Sequence, residues 1–345
     1  MSELHERTLA IETRPIDDAL LAVHAELRDV RKVEMPAYLG VSHPAGVVHH
    51  MMLDLELDRA LVIVAADARM ETAPFTASEK TRGEGCRDIL PSYRHLVGTK
   101  LDAEYAANVF GTVGGPLGCF HILSLAQCVP LAVRAATARL CGGALAMPRG
   151  SEDAVADSCA EWRAGGPHWS AVRATDGSGF AAFRREMRVT ARVDDRLRLG
   201  MTAELADRTS GSTPLIAALT FSLQVPGFTI LESGATLSGT PFDGCPATAA
   251  TARSLQGLSV TKGFTAAALE RIGGRTGCAH LAALVIALTP VIPQASGALA
   301  GFLKLSPEQK LRNRAANPQV DSCHMWRAEG PLVGLQGSPK RGQSV

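Results

Sequence analysis

The stretch Val113–His121, VGGPLGCFH, returns 159 positions later as Ile272–His280, IGGRTGCAH. A chain that writes the pattern Gly-Gly-x-x-Gly-Cys-x-His twice must house two copies of one piece of fold. The correspondence extends outward in the same order. GCRDILPSYRHLVG (85–98) matches GCPATAATARSLQG (244–257), and LVIVAADARMETAPF (61–75) matches FTILESGATLSGTPF (228–242). RPIDD (14–18) matches ARVDD (191–195), and DSCAEWRAGGP (157–167) matches DSCHMWRAEGP (321–331). The chain therefore reads as a tandem duplication. The copies span 1–172 and 178–335, RATDGSGF (173–180) supplies a glycine-serine join, and 336–345 forms a C-terminal tail.

Each copy opens with short runs of period-two alternation, such as RTLAIETR, LLAVHAEL, MMLDLEL and LVIVAADARM, separated by Asp-rich turns. LELDRALVIV reads as a hairpin with Asp58 and Arg59 at its tip. Helical text follows at 86–97, 102–111 and 119–141, and again at 246–256, 264–273 and 279–301. Strands first and helices after predict an α+β fold, with an antiparallel sheet in each copy and helices on one face. Two such copies are expected to pair about a pseudo-twofold axis.

Length and composition bound the function. The 345 residues carry a net charge of +1, with 46% apolar and 20% charged residues. That balance gives no basic surface for nucleic acid and none for an anionic membrane. The N-terminus, MSELHERTLAIE, lacks the apolar core of a secretory signal, so a cytoplasmic protein with reduced cysteines is expected. The apolar segment 278–303 has the length of a membrane span. It contains His280, Pro290, Pro293 and Gln294, and reads instead as a buried or interface helix broken near Pro290.

A duplicated chain can be compared with itself. Both copies keep Cys86/Cys245, Cys119/Cys278, His121/His280 and Cys159/Cys323. Thiolate and imidazole suit zinc or iron, so Cys86, Cys119 and His121 are candidate metal ligands. The competing reading makes them small buried residues and one hydrogen-bonded histidine. A thiol at the start of a helix is expected to have a lowered pKa. DSCxxWRAxGP reads as architectural, with a capping residue, a buried Cys, a packed Trp and a turn.

Only the first copy has VSHPAGVVHHMML (41–53); the second has the apolar TPLIAALTF (213–221). His49 and His50 are thus the asymmetric candidates for catalysis, and on a strand they face opposite ways. His50 is favoured as the ligand, with His121, Met51 and Met52 as further cofactor-binding candidates. His43 and His95 are also unmatched, and read as surface or satisfied core residues. An apolar lining beside imidazole suits heme or non-heme iron and a small apolar aromatic substrate. The chain has no dinucleotide, P-loop or zincin motif and no Cys-x-x-Cys-His.

LVGTKLDAEYAANVFGTVGGPLGCFHILSL, its second-copy partner and DSCHMWRAEGP resemble the bacterial domain-of-unknown-function family numbered 2889. Members of that family usually carry one copy, and tend to have His-Asp where this chain has His49-His50. The hairpin, the Cys after it and the late Cys/His are also similar to iron–sulfur assembly scaffolds. The two-copy architecture resembles bacterial oxygenases of phenylpropenes such as trans-anethole and isoeugenol. That resemblance implies a heme- or iron-dependent oxygenase that turns the alkene side chain into an epoxide or aldehyde; separately, pairing of the chain into a homo-oligomer is an expectation left open. The rival expectation is a non-catalytic zinc or iron–sulfur protein with Cys/His ligands.

Overall fold

The computed structural model describes residues 2–38, 41–137, 139–141, 144–148, 157–166, 168, 172–175, 180–194, 198–209, 214–225, 227–261, 263–302 and 320–335. Four antiparallel strands open the first copy: β1 (Ser2–Pro15), β2 (Leu21–Arg31), β3 (Gly46–Leu57) and β4 (Ile63–Thr72). Their counterparts are β5 (Phe183–Val193), β6 (Leu199–Thr209), β7 (Leu215–Leu223) and β8 (Ile230–Ser238). The eight strands form one sheet in the order β8-β7-β6-β5-β1-β2-β3-β4. The expected pseudo-twofold is written into its register. Arg7 pairs with Val189 while Arg185 pairs with Ile11, and Leu9 meets Met187 at the centre. This is the reciprocal pairing of an isologous interface, here between two halves of one chain. It also removes two sheet edges that would otherwise be open.

Odd-numbered residues of β1 point inward. His5, Arg7, Leu9 and Ile11 are buried, while Glu6 and Glu12 on the other face pair with Arg188 and Arg184 of β5. The inner face is covered by α2 (Phe120–Thr137), α4 (Ala279–Leu288) and α5 (Val291–Phe302), while α1 (Tyr105–Val113) packs on α2 and α3 (Phe264–Ile272) on α4. One apolar core runs through both copies. The expected helices at 86–97 and 246–256 are tighter 3-10 turns, Cys86–Leu96 and Cys245–Leu255. Pro91 inside the first lacks the N–H that an α-helical ladder needs. The helix expected over 279–301 divides into α4 and α5 with a 41° bend beside Pro290. α2 alone, and α4 with α5 together, are long and apolar enough to cross a membrane; α2 spends 61% of that length buried inside the protein.

The repeated Gly-Gly-x-x-Gly links each pair of helices through one turn of 3-10 helix, at Gly115–Leu117 and Gly274–Thr276. Gly115 and Gly274 take φ of 52° and 57°, in the left-handed region. Gly118 and Gly277 are required for a different reason. A Cβ there would lie 1.8 Å and 1.9 Å from the carbonyl oxygens of Val113 and Ile272.

The Asp-Ser-Cys motifs are exchanged between the copies. His324 N donates to Gly118 O at 2.8 Å, and Ala160 N donates to Gly277 O at 2.9 Å. Each motif therefore caps the helix entry of the other copy. Both are built alike. Asp157 N donates to Trp162 O and Asp321 N to Trp326 O, while Ala164 N and Ala328 N donate to the two aspartate side chains. The expected tail at 336–345, and the part of the join at 176–179, lie outside the described residues.

Gly118→Ala should cost about 1–3 kcal/mol, because the chain must shift to admit the methyl group. Gly111→Ala, where nothing lies within 4 Å of the added carbon, should be neutral or stabilising through helix propensity. Urea unfolding of both variants checks the contrast; equal midpoints would contradict it.

Candidate functional site

The centre of the first copy is a buried ion pair between adjacent strands. Arg7 on β1 stands opposite Asp29 on β2. Its Nε donates to Asp29 Oδ1 and its Nη2 to Oδ2, both at 2.7 Å. Both side chains are fully buried. Three histidines close around this pair. His49 of β3 stands opposite Asp29 in the register and places Nδ1 2.8 Å from Oδ2. His121, at the start of α2, places Nδ1 2.5 Å from Arg7 Nη2 and 3.6 Å from Asp29 Oδ2. His5 places Nε2 3.4 Å from Asp29 Oδ1, and its two ring nitrogens make no hydrogen bond among the described residues. The His49 and His121 rings lie 3.9 Å apart, tilted by 34°.

Charge fixes the protonation pattern. Burial pushes the Asp29 carboxyl up, but Arg7 and the bonds from His49 outweigh it and hold the carboxyl well below its usual range. Burial lowers His49 against the pull of Asp29. Burial, with His49 and Arg7 nearby, drives His121 well below its ordinary value. At neutral pH the centre is Arg7⁺ against Asp29⁻ with two neutral imidazoles. A guanidinium only donates, so His121 Nδ1 accepts and Nε2 carries its proton. A carboxylate only accepts, so His49 Nδ1 donates and Nε2 keeps its lone pair.

The donor set suits a metal. Asp29, His49 and His121 can bring one ligand atom each within 4.8 Å of one another, and they are the one such group of His, Cys, Asp and Glu among the described residues. Two imidazoles and a carboxylate are the ligand types of non-heme ferrous sites, and with Arg7 engaging Asp29 and His121 Nδ1 the lone pair left for an ion is that of His49 Nε2. A histidine whose Nδ1–H is held by a carboxylate is the usual form of a metal-binding or axial imidazole. Arg7 sets a condition on the fit. It uses both oxygens of Asp29, so an ion bound directly on the carboxylate must displace it. An iron bound on His49 Nε2 leaves the Arg7–Asp29 pair in place.

Strand alternation separates the expected site residues. His49 and Met51 face the interior, whereas His50 and Met52 lie on the outer face. His50 Nε2 meets Glu26 at 2.6 Å and remains partly exposed. The structure thus corrects the choice of His50 over His49, since His50 cannot share a site with His121 through the sheet. Cys119 joins Met51, Sγ to Sδ at 3.9 Å. Its expected low pKa is also corrected, because burial pushes the thiol up to about 12. Burial likewise raises Cys86 strongly, with Cys119 and Cys323 adding to it. Neither Cys86 nor Cys119 belongs to the close ligand group. His43 is buried edge-on to Phe75, and His95 is exposed.

Arg7, Asp29 and His5 were not among the sequence candidates. The signal was present in AELRD (25–29) and AELAD (203–207), which repeat Ala-Glu-Leu-x-Asp on the second strand of each copy. The second copy keeps the frame as Arg185, Asp207 and His280. It replaces the remaining histidines: Leu215 faces Asp207 where His49 faces Asp29, and Phe183 stands at the place of His5.

A family model described as a protein of unknown function (DUF2889) matches residues 5–134 and 172–294. No curated protein and no solved structure matches the chain.

The depressed His49 gives stability that is complete above the unfolded pKa of about 6.5 and is lost as pH falls toward the folded value. In metal-free protein, the urea midpoint should therefore drop more steeply from about pH 7.5 to about pH 5.5 in the wild type than in His49→Leu. An equal or steeper drop in the variant would contradict the buried neutral imidazole.

Proposed function

The chain belongs to the DUF2889 family, of whose domain it carries two copies, and on that premise we propose that it is an iron-dependent oxygenase of small apolar aromatic compounds. The observation that carries this reading is the buried Asp29–His49–His121 group with both imidazoles neutral. Burying three histidines around one ion pair is costly unless the imidazoles gain a partner. The second copy folds the same Arg–Asp pair with Leu215 and Phe183 in their place, so the fold itself does not need His49 and His5.

His49 would hold the iron, through Nε2. Asp29 orients its ring and raises its basicity through Nδ1. Arg7 neutralises the carboxylate and keeps His121 in its Nε2–H form, which places a proton donor beside the His49 ring. Iron, as heme or as a bare ion, supplies dioxygen activation when bound. Met51, buried two residues along the same strand face from His49, makes the surroundings apolar, which favours an apolar substrate. The alkenyl side chain of phenylpropenes is the proposed reacting group, giving an epoxide or aldehyde. We place the protein in the cytoplasm, in keeping with the unpaired thiols of its described cysteines.

His49→Ala should lose bound iron and lower trans-anethole or isoeugenol turnover at least about 100-fold while staying folded by circular dichroism. His50→Ala should keep both. Iron analysis, an absorption spectrum and product assay measure this, and a Soret band separates heme from a bare ion. Full iron content and turnover in His49→Ala would overturn the assignment.

A further inference from the structure

The second copy arranges the same Gly-Cys-x-His element differently. Leu215 offers Asp207 no hydrogen bond, so His280 takes the position that His49 holds in the first copy. His280 Nε2 lies 3.2 Å from Asp207 Oδ2, and its Nδ1 lies 3.8 Å from Cys278 Sγ. In the first copy Arg7 occupies His121 Nδ1 and Cys119 Sγ turns to Met51. In the second, Arg185 is spent on Asp207, and the imidazole is free to serve the thiol.

Cys278, His280 and Asp207 line a cavity of about 450 Å³, a volume suited to an aromatic-sized ligand. Its walls are largely apolar and include Trp162, Phe183, Leu215, Leu237 and Phe242. Phe183 and Leu215, which stand in place of His5 and His49, open this apolar space where the first copy packs imidazoles. Arg134 and Glu161 add one charge of each sign, and Glu161 is held by His168. Arg134 Nε is buried with no hydrogen-bond partner among the described residues.

From this cavity and the Cys278–His280–Asp207 chain, we propose a second active site, in which Cys278 is the nucleophile toward apolar acyl esters or thioesters. A thiol, a base within reach and a carboxylate that orients the base are the parts of an activated nucleophile. The thiol also sits at the N-terminus of α4, where the helix dipole favours thiolate. The electrostatics agree in direction. Burial raises Cys278, but the bond from His280 outweighs it and the thiol ends below its ordinary value. Burial lowers His280, and Asp207 with Cys278 reverses this. Cys119 moves the opposite way.

The reaction balances with water alone. Cys278 Sγ forms a bond to the acyl carbon, the bond to the leaving oxygen or sulfur breaks, and the leaving group takes the proton of His280. Water then attacks the thioester, His280 accepts its proton, the S–C bond breaks and the acid leaves. Asp207 acts as a positioning residue throughout.

The test uses p-nitrophenyl benzoate and the full-length protein as isolated. The expected result is a burst of p-nitrophenolate up to one equivalent per chain, with one benzoyl group on the Cys278 peptide by mass spectrometry. Cys278→Ser should slow the burst at least about 100-fold, and Cys119→Ser should leave it unchanged. His280→Gln should slow acylation with Cys278 still present, and circular dichroism confirms the fold of each variant. Absence of an adduct on Cys278, an equal spread of label over the cysteines, or a wild-type burst in Cys278→Ser would overturn the proposal. None of these readings depends on iron, so this site and the iron site stand or fall separately.

Discussion

The structure depends on a buried guanidinium–carboxylate pair, made twice. Arg7 and Asp29, and again Arg185 and Asp207, join the first two strands of each copy through two parallel hydrogen bonds. Such a pair repays its desolvation only when geometry and further hydrogen bonds are good, and removing one partner typically costs about 3–5 kcal/mol. A substitution in either residue would leave a buried charge, so both copies retain the pair. Each aspartate has room for one more donor. What supplies that donor decides what each copy can do.

In the first copy the donor is His49, from the neighbouring strand. The consequence is a ring with a free lone pair beside a second neutral imidazole, which is the arrangement proposed to hold a metal. In the second copy Leu215 supplies nothing, His280 comes to the carboxylate, and its other nitrogen serves Cys278. Two side-chain exchanges, His49 to Leu215 and His5 to Phe183, thus separate an imidazole-filled centre from an apolar cavity. The duplication makes this divergence possible without loss of fold, because the strand pairing and the exchanged Asp-Ser-Cys motifs hold both halves in one core.

Much of the architecture could be read directly from the chain. The collinear repeats located the two copies, period-two runs located the strands, and Pro290 marked the bend between α4 and α5. The exchange of DSCxxWRAxGP between copies was not legible, because sequence order does not say which helix entry a motif will cap. The site was half legible. Asymmetry pointed to His49-His50, and alternation said that only one could face inward, but choosing between them required the register of β3 against β2. Arg7 and Asp29 escaped notice because charged residues on a strand ordinarily read as its solvent face. The repeated Ala-Glu-Leu-x-Asp was the available clue. Cys119 and Cys278 occupy identical motifs, yet burial governs one thiol and an imidazole the other.

The central claim is that one shared frame has become a metal centre in the first copy and a thiol site in the second. Anomalous scattering at the iron edge, from crystals of iron-loaded protein, tests it most directly. The account predicts one strong peak beside His49 and none beside Asp207 and His280. A peak at the thiols, equal peaks in both copies, or no peak beside His49 would contradict it.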